Sequence, residues 1–191
     1  EALIHEALVP AMAYWEDLLT RVDTWQLETK VQFPGIEGAF GTADVIARDD
    51  RDNITYVTDW KFGAGEAVKA VHDDNTINEQ LMFYACSARY TQPEFFPEKC
   101  RVVLTVVQPR ARGHDPITTI EVSLEEMDAF EVALSAAVMM TQRKSAPIEK
   151  GRWCRFQNCQ TICPHHTGAL FDLKLLGPTE LKTPDHIEML L

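Results

Sequence analysis

The chain has 191 residues, 46% of them apolar, so it can bury one sizeable core as one domain, or one domain with a small appendage. Its formal net charge of −11 argues against a protein that coats nucleic acid non-specifically. It leaves open an enzyme that holds phosphates on one local basic face. No apolar run approaches a membrane span and no secretory signal is visible, so the expected partners include no membrane and the expected location is the cytoplasm.

In chain order, residues 2–22 carry Leu3, Ala7, Leu8, Ala11, Tyr14, Trp15, Leu18, Leu19 and Val22 at helical spacing. Pro10 is placed to kink or start that helix. The chain opens at Glu1 rather than Met, which leaves open whether an upstream element precedes it. Residues 25–33 alternate as a strand, and Pro34-Gly35 is a turn signal. Residues 39–48 and 54–61 read as a hairpin closed by Asp49-Asp50-Arg51-Asp52-Asn53. Residues 76–90 have helical periodicity, and the continuous apolar run Val102 to Val107 suits a buried strand. A Pro- and Arg-rich loop from Gln108 to Pro116 leads to a strand ending at Val122. Ser123 with Glu126 forms a capping-box pattern before a helix that runs through Met140. The order implies a small mixed sheet flanked by helices, an α/β or α+β domain. The expected organisation is a core over 1–146, a cysteine-bearing segment over 147–171 and a tail over 172–191.

Chemistry concentrates in the hairpin. Asp59 and Lys61 lie two apart on one strand and point to one face. Asp44 sits on the partner strand, where pairing brings it towards Asp59. Two carboxylates and an ammonium at a sheet edge make a site for a divalent metal and a phosphate, and hard oxygen ligands suit Mg²⁺ or Mn²⁺. A bare Asp-x-Lys tripeptide is more often plain surface. Here, however, Val57, Trp60 and Phe62 mark a strand that is largely inside, where an unpartnered carboxylate is costly. Glu28, one strand earlier, either reaches the same metal or is an exposed position. Gln80 and Tyr84 stand one helical turn apart and share a face. They either serve the site, or Tyr84 is core and Gln80 surface.

Gly41-Thr42-Ala43-Asp44, Asp59-Trp60-Lys61 and Gln80-Leu81-Met82-Phe83-Tyr84 occur in this order, and together they resemble the RecB-type nucleases of the PD-(D/E)XK superfamily. The resemblance spans roughly residues 25–165 and looks nearest to phage and prophage members, where Gln108-Pro109-Arg110 also fits a recurring strand end. It implies a restriction-endonuclease-like core and a DNA nuclease, expected to be an exonuclease of phage recombination or DNA processing. It implies Asp44, Asp59 and the Trp60 backbone carbonyl as metal ligands, with Glu28 as an additional acid. Lys61 would be the catalytic lysine, and Gln80 and Tyr84 an accessory pair. Many relatives carry a histidine on the first helix followed by an acid; its equivalent here is open between His5-Glu6 and a position upstream of Glu1. DNA is the implied partner, alongside a homo-oligomer or a phage recombination partner.

Cys154, Cys159 and Cys163 fall in one short segment, while Cys86 and Cys100 lie elsewhere. An odd count suits a reducing compartment. In relatives, including the CRISPR adaptation nuclease, three terminal cysteines and one remote cysteine hold a [4Fe–4S] cluster. Here the fourth ligand is open between Cys86, Cys100 and an upstream cysteine, and His165 or His166 would instead complete a zinc site. The third alternative is that no metal binds. Arg110, Arg112, Arg152 and Arg155, with His114, are the candidate phosphate-binding residues. Two other functions compete with cleavage: a degenerate DNA-binding or scaffold protein on the same fold, and a hydrolase of a small phosphorylated ligand.

Overall fold

The computed structural model describes residues 2–110, 113–148, 151, 154, 157–159 and 163. The chain divides into two compact units, Glu1–Val138 and Met139–Leu191. The first holds the sheet.

Five strands form one mixed, open sheet: β1 (Thr24–Gln32), β2 (Phe40–Asp49), β3 (Ile54–Trp60), β4 (Arg101–Val107) and β5 (Ile117–Val122), lying side by side in that order. All neighbours are antiparallel except β3 and β4. A parallel pair needs a long crossover. The loop after β3 and helix α2 (Glu79–Thr91) supply it. Helix α1 (Ala2–Arg21) precedes the sheet and α3 (Leu124–Thr141) follows it. The domain is therefore a mixed α+β fold, an open sheet flanked by helices, as the element order implied.

Each face of the sheet has its own core. Ala11, Tyr14, Leu18 and Val22 of the α1 segment pack on Val45, Ala47, Ile54, Tyr56 and Val107. On the opposite face, Leu81, Met82 and Ala85 of α2 and Met127 of α3 pack on Ala43, Ile46, Val57, Leu104 and Val106. Covered on both sides, β3 is buried at six of its seven residues. The buried positions include the polar Thr55, Thr58 and Asp59.

Element boundaries differ from expectation where a cap overrides periodicity. Ile77 fits the apolar face of a helix, but α2 begins only after Asn78, whose Oδ1 accepts from the Gln80 and Leu81 amides at 3.0 and 3.2 Å. Ile77 instead makes a β-bridge to Val71. Pro10 lies inside a continuous α1 and does not begin it. The capping box of α3 forms as read: the Ser123 amide donates to Glu126 Oε2 at 2.8 Å and the Glu126 amide to Ser123 Oγ at 3.2 Å. A single 3₁₀ turn at Pro93–Phe95 has no counterpart in the sequence reading.

Candidate active site at the end of the second hairpin

Register decides which residues meet. The β2–β3 pairing runs from Asp49↔Ile54 to Val45↔Thr58 and stops one step short of Asp44 and Asp59, where the Asp44 carboxylate accepts the Trp60 amide. In the β1–β2 pairing, Leu27↔Val45 and Thr29↔Ala43 bracket Glu28 and Asp44. Glu28, Asp44 and Asp59 thus stand near one level of three neighbouring strands. The pairing there is irregular. Ala43 belongs to the α2-side core and Val45 to the α1-side core, although residues two apart on a strand should share a face. The slip falls at Asp44, opposite Glu28, whose φ of 48° is a left-handed conformation rare for a residue with a side chain.

Asp59 is 3% exposed and faces the α2 side, level with Val106 of β4. Burial pushes its carboxyl above the ordinary value of 3.8. The Lys61 ammonium works against that shift through a hydrogen bond and its charge, while the nearby Asp44 charge adds to it. Lys61 Nζ donates to Asp59 Oδ1 at 3.2 Å and lies 2.9 Å from Oδ2. That second contact is ionic only, and the buried Oδ2 accepts no hydrogen bond. Asp44 is held differently: its Oδ2 accepts the Trp60 amide at 2.7 Å. This bond ties the acid of β2 to the backbone between Asp59 and Lys61. The Lys61 amide in turn donates to the Val107 carbonyl at 2.9 Å.

Trp60 anchors the strand end from the α1 face. Its ring meets Tyr14 edge-on, with centroids 5.7 Å apart, and stacks with Phe62 at 6.2 Å. On the α2 face, Gln80 Nε2 donates to the Tyr84 hydroxyl at 3.1 Å, so the pair acts as one unit on the helix surface. Tyr84 lies tight against β2. A Cβ at Gly41 would come within 2.8 Å of its ring, so the glycine that opens the first motif makes room for the tyrosine of the third.

The remaining candidates divide. Glu28 stands near that level, but its side chain is exposed. Among the described residues no three His, Cys, Asp or Glu side chains gather into a metal-binding group. Arg110 donates to the Phe62 carbonyl at 3.3 Å, which places its guanidinium just past the end of β3. Both ring nitrogens of His114 are buried without a hydrogen bond. His5 is exposed on α1, and the Glu6 side chain lies outside the described residues. So do Arg112, Arg152, Arg155, His165 and His166.

Cys86 and Cys100 are core residues of the first unit. Cys86 donates to the Met127 carbonyl at 3.6 Å, and burial pushes its thiol up to about 12, far from a ready thiolate ligand. Cys154, Cys159 and Cys163 belong to the second unit, where Cys159 is exposed and the Cys163 amide donates to the Cys159 carbonyl at 2.8 Å. No cysteine is in a disulfide.

One residue escaped the sequence reading. Gln108, at the end of β4, is 3% exposed and its amide is bonded to the loop after β3. Only its place in a Gln-Pro-Arg strand end had marked it.

The chain belongs to the family described as protein of unknown function (DUF2800), whose model matches residues 12–190. No curated protein matches it in sequence. Among solved structures, the crystal structure of SSO0001 is similar over 81% of this chain and 67% of its own, at 20% identity and a TM-score of 0.40. No helix among the described residues is long and apolar enough to cross a membrane.

Proposed function

We propose that the protein is a divalent-metal-dependent deoxyribonuclease, acting as an exonuclease in phage recombination or DNA processing. One observation carries the reading. A buried carboxylate, Asp59, lies beside the Lys61 ammonium and close to a second carboxylate, Asp44, which accepts the amide of the next residue, Trp60. Burying a carboxylate with a second acid close by, balanced by one lysine at 2.9 Å, is electrostatically costly, and a divalent cation relieves that cost. The donor set fits a hard cation. Asp44 and Asp59 offer carboxylate oxygens on neighbouring strands, and the Trp60 carbonyl lies in the same strand end. These three would hold Mg²⁺ or Mn²⁺.

The cation, when bound, polarises the phosphoryl group and lowers the pKa of water. The chain's own residues do the rest. Lys61 keeps its ammonium at the Asp59 carboxylate, where it can meet negative charge developing on a phosphate. The Asp44–Trp60 bond fixes the spacing of the two acids. Gln80 and Tyr84 present paired polar groups from the helix that covers this face. Arg110 brings positive charge to the strand end. With a net charge of −11, DNA is repelled by most of the surface, so binding depends on this local charge and on the cation. The motif resemblance to RecB-type nucleases supports the same assignment.

A DNA-binding scaffold on a nuclease fold is the second reading, and the exposed side chain of Glu28, standing off from the acid pair, favours it. End-labelled linear DNA and covalently closed circles, incubated with Mg²⁺, Mn²⁺ or EDTA, separate the two. The proposal expects metal-dependent loss of the linear substrate alone. Cutting of the circle would convert the assignment to an endonuclease. DNA retained intact but bound would favour the scaffold.

A further inference from the structure

Gln108 is polar, buried and more than 40 residues beyond Lys61 in sequence, yet its amide makes three hydrogen bonds to the loop that follows Lys61. Its Oε1 accepts from the Val68 amide at 2.6 Å. Its Nε2 donates to the carbonyls of Glu66 at 3.0 Å and Gly63 at 3.4 Å. The residue's own backbone N–H is used elsewhere, on the Pro116 carbonyl at 2.7 Å.

The loop it holds starts directly after Lys61 and ends at Asn78, the cap of the helix that carries Gln80 and Tyr84. Loops this long inside a compact domain are usually functional. Phe62 stacks on Trp60, but residues 63–67 are all exposed and have no such anchor. Further along, the Ala70 amide donates to Thr118 Oγ1 at 2.9 Å and Asn78 Nδ2 to the Lys69 carbonyl at 2.9 Å. The distal half of the loop is therefore pinned by two side chains. The half that adjoins Lys61 is pinned from β4 by Gln108, and by Arg110 at its first residue.

We propose that Gln108 is a positioning residue for the candidate active site. Its amide locks residues 63–68 onto β4 and so fixes the exit of the strand that carries Asp59 and Lys61. It touches neither the acids nor the substrate and acts through the loop. A loose loop would let the Lys61 end of β3 wander, and a displacement near 1 Å at reacting groups can cost about 100-fold in rate. The inference rests on the nuclease reading for its kinetic consequence, but not for its structural one.

The test uses Gln108→Met, which keeps the size and removes all three bonds, and Gln108→Glu, which loses the two donated bonds and keeps the acceptor. Thr118→Val, which releases only the distal loop, is the control. Amide exchange at residues 63–68 is measured first, without DNA or metal. Cleavage of linear DNA follows, well below each variant's melting temperature. The expected result is faster exchange confined to this loop in both Gln108 variants. It comes with kcat lowered about 10- to 100-fold, KM little changed, and Thr118→Val near wild type in kcat. Unchanged exchange in Gln108→Met would overturn the proposal, as would opened exchange with wild-type kcat. A wild-type protein that cuts no DNA overturns the nuclease reading and takes the kinetic role of Gln108 with it. Wild-type cleavage beside unaffected variants overturns the role of Gln108 alone. Should Gln108→Met fail to fold, the same two outcomes are read from Gln108→Glu.

Discussion

The two ends of the β2–β3 hairpin each bury an aspartate to the same degree, and they treat it in opposite ways. Asp49, at the turn, and Asp59, at the far end, are both 3% exposed. Asp49 Oδ1 accepts the amides of Arg51 at 2.9 Å and Asp52 at 3.1 Å. Its neighbour Arg48 bonds Asp50 and Asn53 at 3.1 and 2.6 Å, and Asn53 takes the left-handed φ of 56° that closes the turn. This is a local side-chain-to-backbone device of the kind that makes Asp and Asn turn residues. Among the described residues Asp59 accepts no backbone hydrogen bond. It has Lys61, through a hydrogen bond and an ion pair, and a second acid nearby. A buried acid by itself marks nothing. What sets the two ends apart is whether the fold finishes satisfying it.

The largest effect that sharpens this contrast concerns metal. Mn²⁺ or Mg²⁺ at about 100 times its dissociation constant should stabilise the wild-type protein by about 2.7 kcal/mol. The shift should vanish in Asp59→Asn and Asp44→Asn and persist in Asp49→Asn, as read by thermal melts with and without EDTA. Equal shifts in all three would remove the distinction between the two ends.

Next in size is Asp49→Ala. It strands two backbone amides at the turn and should cost about 1–3 kcal/mol in denaturant unfolding. Metal binding by the other end should survive wherever the protein stays folded. Loss of the metal shift without loss of stability would mean that the roles had been assigned the wrong way round.

The smallest effect is in pH. The native-state pKa of Asp59 is raised, so the folded protein keeps this proton longer than the unfolded chain does. Stability from this group is therefore greatest below the ordinary carboxylate value of 3.8 and falls as pH rises through the higher native value. In EDTA, the stability of Asp59→Asn relative to wild type should climb across that window and then level off. A flat difference across the window would show that burial does not strain the Asp59 charge.

Much of this site was legible in the sequence because alternation and register are simple rules. Asp59 and Lys61 do meet, and Asp44 does come near Asp59. The turn Asp49 to Asn53 and the Ser123–Glu126 cap stand where their residue types put them. What alternation conceals is the slip at Asp44 and Glu28. Strict period-two counting places Ala43 and Val45 on one face, whereas they lie on two. The left-handed backbone of Glu28 has no glycine or asparagine to announce it. The start of α2 was misjudged because Ile77 obeys helical spacing while Asn78 supplies the cap. Gln108 was invisible as a clamp, since its partners lie about 40 residues back and nothing local in Val107-Gln108-Pro109 points to them.

The most direct measurement is cleavage of linear DNA in Mn²⁺ by wild type, Asp59→Asn and Asp49→Asn side by side, each shown to be folded by its unfolding curve. The account predicts rapid cleavage by wild type, at least about 100-fold less by Asp59→Asn, and cleavage near wild type by Asp49→Asn. Undiminished cleavage by Asp59→Asn would contradict it.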